Sequence, residues 1–103
     1  MSDDNIKTLY VNVKELSFKE DQHVDDLTQF LTEEFPQLEI AREGNEIEIN
    51  MPSTLSNRAI KLRIKKFLYK KNLKEGFRPI SLTDPDKEGY TVKERKQFEF
   101  TYY

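Results

Sequence analysis

The stretch "LEIAREGNEIEINM", residues 38–51, constrains the fold of this chain more than any other. Leu38 and Ile40 precede Gly44-Asn45, and Ile47, Ile49 and Met51 then alternate with Glu46, Glu48 and Asn50. Alternation at period two puts the apolar side chains on one face of an extended chain. A Gly-Asn pair between two such runs supplies the turn of a hairpin. A lone hairpin with one apolar face is marginal in water, so the remaining chain must cover that face.

Two helical stripes are available for the task. Val24, Leu27, Phe30, Leu31 and Phe35 recur at helical spacing, and Pro36 ends that pattern. Asp25 and Asp26 are expected in the first turn, where negative charge suits the helix dipole. "PSTLSNRAIKLRIKKFLYKKN" predicts a second helix capped by Ser53 or Thr54. Before the first helix, "IKTLYVNVKELSF" reads as a strand, with Leu9, Val11 and Val13 alternating. After the second, "FRPISL" and "YTVKERKQFEFTYY" read as two strands joined by the turn-rich "TDPDKEG". The expected order is strand, helix, hairpin, helix, hairpin, in one domain over residues 1–103. That is an α+β fold, a small mixed or antiparallel sheet packed against two helices. Phe30, Phe35, Phe67, Phe98 and Phe100 are expected in its core.

Several kinds of chemistry find no residues here. With no cysteine, the chain has no disulfide, thiol nucleophile or Cys-ligated metal. His23, the single histidine, is expected as an exposed residue just before the first helix. Gly44, Gly76 and Gly89 form no phosphate loop, and no nucleophile elbow occurs. Asp25-Asp26 and Glu33-Glu34 are sequence neighbours that diverge on a helix, unlike a working acid/base pair. The expectation is a non-enzymatic protein with no cofactor and no metal. The opening "MSDDNIKTLY" lacks the apolar segment of a signal peptide, and no apolar run approaches the roughly 20 residues of a membrane span. A cytoplasmic monomer without a membrane partner is expected.

Charge points towards a partner. Residues 1–50 carry 4 Lys/Arg against 13 Asp/Glu, a net of −9, while residues 51–83 carry 9 against 1, a net of +8. The overall charge of −2 therefore hides a strongly positive middle. On the second helix, Ile60, Ile64, Phe67 and Leu68 fall within one core-facing arc. Opposite it, Arg58, Lys61 and Lys65 form one flank and Arg63, Lys66 and Lys70 the other, with Ala59, Leu62 and Tyr69 between. The positive run continues through Lys71, Lys74 and Arg78. No acidic residue three or four positions away neutralises the six helical cations, as a solvated helix would usually arrange. A polyanion relieves their repulsion. Because the apolar face is needed for the core, nucleic acid is favoured over a membrane surface or a protein groove. Tyr69 has two readings, a platform for an unpaired base or a ring resting on lysine stems.

These residues also carry a family resemblance. "SNRAIKLRIKKFLYKKNLKEGFRPI", residues 56–80, resembles without a gap the corresponding stretch of the eukaryotic-type "L twenty-two" proteins of the large ribosomal subunit. "DLTQFLTEEF" and "IEINMP" resemble the first helix of that family and the strand before its second helix, and "EGYTVKERKQFEF" is a looser match. The resemblance implies a small α+β ribosomal protein that binds ribosomal RNA through its second helix and the segment after it. The implied contacts are Arg58, Lys61, Lys65, Lys66, Lys70, Lys74 and Arg78. Tyr69 and Gly76 depart from the family pattern, which usually has a basic residue and an aromatic there. The family's lysine-rich N-terminal arm is also not seen, which implies weaker RNA binding. A basic neighbouring protein is expected at the acidic N-terminal half. A non-enzymatic interaction adaptor, or a general nucleic-acid-binding protein off the ribosome, is the alternative.

Overall fold

The structure, a computed structural model, describes residues 5–95. Its framework is a five-stranded mixed sheet in the order β2-β3-β1-β5-β4. Strand β1 (Ile6–Asn12) lies at the centre and pairs antiparallel with β3 (Glu46–Pro52), from Ile6 opposite Pro52 to Asn12 opposite Glu46. On its other side β1 runs parallel to β5 (Gly89–Glu94), with Tyr10 opposite Gly89 and Asn12 opposite Thr91. The edges are β2 (Glu39–Glu43) and β4 (Phe77–Ser81), each antiparallel to its hairpin partner. The expected α+β class and both hairpins are therefore present. Residues 96–103, including Phe98, Phe100 and the end of the expected last strand, lie outside the described residues.

Helices α2 (Asp21–Glu34) and α3 (Asn57–Lys70) cover one face of the sheet. Val24, Leu27 and Leu31 from α2 meet Ile60, Ile64, Phe67 and Leu68 from α3 over Leu9, Val11, Ile47, Ile49, Met51 and Val92. All of these are buried, each worth roughly 1.5–3 kcal/mol in water-to-core transfer. Phe30, expected in the core, is only half-buried, with its ring 5.6 Å from that of Phe67.

A third helix, α1 (Lys14–Lys19), was not expected, because the alternation of Leu9, Val11 and Val13 runs into it. The strand ends at Asn12, whose side-chain oxygen accepts the N–H of Lys14 at 3.0 Å. That local bond turns the chain away from the ladder and starts a helix. Val13 and Leu16 are nevertheless fully buried, so the apolar pattern served a turn and a helix rather than a longer strand. Helix α2 also begins earlier than its stripe suggests. Asp21 occupies the first turn, Asp25 and Asp26 follow it, and His23 lies inside the helix with its side chain 17% exposed. The cap of α3 is Ser56, not Ser53 or Thr54: its hydroxyl accepts the Arg58 N–H at 3.0 Å. Residues 52–55 make a turn first, closed by Leu55 N–H to the Pro52 carbonyl.

Candidate nucleic-acid interface

The cationic face predicted on α3 is present, but its two flanks have different surroundings. Burial of Ile60, Ile64, Phe67 and Leu68 against the sheet turns the basic positions outward. On the flank beside α2, Arg63 Nε stands 2.7 Å from Glu34 Oε1, though without the alignment of a hydrogen bond. Lys66 Nζ approaches the same oxygen at 3.9 Å, and Lys71 Nζ lies 3.4 Å from Asp26 Oδ2. The Asp26 carboxyl is held below its usual range, first by the Gln22 amide and then by Lys71. Lys70 sits 5.6 Å above the ring of Phe30. The repulsion expected along this flank is thus relieved from within the fold, by a helix more than twenty residues upstream. Arg63 and Lys71 belong to the seam between α2 and α3.

The opposite flank has no such neighbour. Here α3, the connection after it and strand β4 enclose an open groove of about 970 Å³. Lys65, Tyr69 and Lys66, the last shared with the α2 flank, line it from the helix, Lys74 from the connection and Arg78 from the strand. Among the described residues, Lys65, Lys74 and Arg78 make no ion pair with a carboxylate. Glu75 is the one acidic residue on the lining.

The turn after α3 sets this geometry. Asn72 adopts a left-handed backbone, φ 64°, which an asparagine accepts more readily than most residues. Its N–H donates to the Tyr69 carbonyl, and that of Leu73 donates to the Leu68 carbonyl, so the open carbonyls of the last turn are satisfied. The chain then doubles back and places Lys74 Nζ 4.9 Å from the centre of the Tyr69 ring. Tyr69 itself is 66% exposed, beside Leu62 at 44%.

Arg95 is a groove residue that the sequence did not identify. The register that sets Phe77 opposite Glu94 brings the next residue back to the start of β4. There Arg95 N–H donates to the Gly76 carbonyl at 2.8 Å, and Nε to the Lys74 carbonyl at 3.0 Å. Only the basic run "KERK" hints at it in one dimension.

Arg58 and Lys61 lie nearer the start of α3 and outside the groove lining. Lys61 Nζ is 5.9 Å from the Tyr90 ring centre. Burial raises the Tyr90 phenol above its ordinary value, Glu88 adds to the rise, and Arg58 opposes it. The ten predicted residues therefore divide: Lys65, Lys66, Tyr69, Lys74 and Arg78 share the groove, and the other five lie elsewhere on α3 or at its C-cap.

Other acidic residues of the first half lie on a different surface, along β2 and β3. Glu43 and Glu46 are directly opposed on β2 and β3, and Glu48 of β3 stands opposite Tyr10 of β1. Like charges opposed on a sheet are destabilising, and Lys87 offsets this pair by reaching Glu46 at 3.1 Å. No family model and no curated protein sequence matches this chain.

Proposed function

We propose that this chain is a structural RNA-binding protein of the large ribosomal subunit, gripping the ribosomal RNA backbone with the groove flank of α3 and the segment after it. The observation that carries the reading is the convergence of Lys65, Lys74, Arg78 and Arg95 on one concave surface, without ion-pair partners among the described residues. Cations around a concave rim suit the phosphates of an RNA backbone. Binding of this kind releases counterions and needs little base reading, because the A-form helix offers mainly phosphate and 2′-hydroxyl groups. The similarity of residues 56–80 to the "L twenty-two" family directs the reading to ribosomal RNA.

The test is direct. A variant carrying Lys65→Glu, Lys74→Glu and Arg78→Glu should lose RNA binding and co-sedimentation with the large subunit while keeping a folded circular dichroism spectrum. A folded variant that still co-sedimented after a moderate-salt wash would refute the reading.

The acidic surface of β2 and β3 favours a second reading, an adaptor that docks a basic protein. In that case partners recovered with the protein would persist after nuclease treatment.

A further inference from the structure

We propose that the groove between α3 and β4 holds an unpaired RNA nucleotide, with its base against Tyr69 and its phosphates on the surrounding cations. The inference rests on the RNA-binding reading above and specifies what enters the groove.

Three observations lead to it. The groove is not uniformly polar: Leu62 and Tyr69 present exposed apolar surface, and Phe77 and Pro79 line the β4 side. Cations surround that apolar surface, from Lys65 on the helix to Arg78 on β4 and Arg95 just after β5. Finally, the turn after α3 ties down the backbone at Tyr69 and sets a cation beside its ring. Its carbonyl accepts the Asn72 N–H, and Lys74 lies over its ring while the Lys74 carbonyl is tied to Arg95.

A continuous RNA duplex satisfies the rim but not the floor. It offers phosphates and ribose hydroxyls, while its bases stay stacked inside the helix. Tyr69 and Leu62 would then remain in water. An unpaired nucleotide meets both parts, because its planar base can stack on the tyrosine ring while the flanking phosphates reach the cations. An acidic peptide would meet the rim, but its carboxylate side chains do not stack on the ring as a base does. At about 970 Å³ the groove lies at the upper end of ordinary small-molecule sites, so a single nucleotide fits within it.

The experiment uses two hairpin RNAs of identical stem sequence, one fully paired and one with a single bulged 2-aminopurine nucleotide. Wild-type protein, Tyr69→Ala and Tyr69→Phe are titrated into each. The wild type should bind the bulged RNA about 10-fold more tightly, ~1.4 kcal/mol, and quench the 2-aminopurine fluorescence. Tyr69→Ala should lose both the preference and the quenching, whereas Tyr69→Phe, which keeps the ring, should retain both. Because Tyr69 is 66% exposed, the alanine variant tests contact rather than folding. Equal wild-type affinity for the two RNAs, or a preference that survives in Tyr69→Ala, overturns nucleotide capture while leaving backbone binding intact. Failure of the wild type to bind either RNA overturns both.

Discussion

Arg63 of α3 and Glu34 of α2 stand with Nε 2.7 Å from Oε1, and this contact divides a helix face that looks uniform in the sequence. On one side of it, positive charge is matched by the carboxylates of α2. On the other, it is left for a polyanion. Glu34 is 27% exposed and Arg63 40%, so solvent screens the pair and its net contribution to stability is small.

Substitution of Glu34 tests that division. Glu34→Gln should lower stability by about 0.5 kcal/mol, within the range of exposed pairs. It should also strengthen RNA binding roughly 2-fold, by removing negative potential near Lys66. Urea denaturation and fluorescence anisotropy measure the two effects. Weaker RNA binding in a fully folded Glu34→Gln protein would mean that the α2 seam, and not the groove, contacts the ligand.

Salt dependence counts the phosphates engaged. The groove cations predict a slope of log affinity against log salt of about −3 to −4. Lys65→Ala should reduce its magnitude by about 1, whereas Arg63→Ala, paired with Glu34, should change it far less. Similar changes for both substitutions would show that ion pairing does not sort the two flanks.

The parallel pairing of β1 with β5 depends on the absence of a side chain at Gly89. A Cβ there would collide with the Tyr10 backbone, since β5 enters the sheet against that residue. Gly89→Ala should cost about 2–4 kcal/mol in denaturant unfolding, as expected for forced separation of a close strand pairing. Gly44, with φ 63° in the β2–β3 turn, has open space around it. Gly44→Ala meets only the left-handed backbone penalty, about 1–2 kcal/mol. A smaller loss at Gly89 than at Gly44 would contradict the close β1–β5 approach.

Acid should weaken the contact between α2 and the first hairpin. Arg42 reaches Asp21 at 2.7 Å and Asp25 at 3.0 Å, and the hydrogen bond from Arg42 holds the Asp21 carboxyl below its ordinary 3.8. A carboxyl depressed in the folded state stabilises above its unfolded value, and that stability is lost as pH falls through the folded one. The contribution is therefore present above about pH 4 and disappears below it. Arg42→Met should be less stable than wild type at neutral pH, and the difference should shrink towards pH 2. Thermal melts across that range would show it; a difference that stayed constant with pH would assign the loss to packing.

The sequence by itself determined the elements whose signals are local. Period-two alternation over residues 46–51 and the Gly44-Asn45 turn made the hairpin legible, and the stripe of Ile60, Ile64, Phe67 and Leu68 did the same for α3. It also determined that α3 carries a cationic outer face. The end of β1 was not legible, because Val13 and Leu16 continue an apolar pattern while one hydrogen bond from Asn12 redirects the chain. Only the tertiary structure decided which cations face the groove. Glu34 and Asp26 reach α3 from a different helix, and Arg95 reaches the groove through the register of β4 and β5. Helical periodicity assigns a side chain to a face, but pairing and concavity depend on what the fold places opposite that face. For Lys65 and Lys74 the described structure places an open groove there, and for Arg63 a carboxylate.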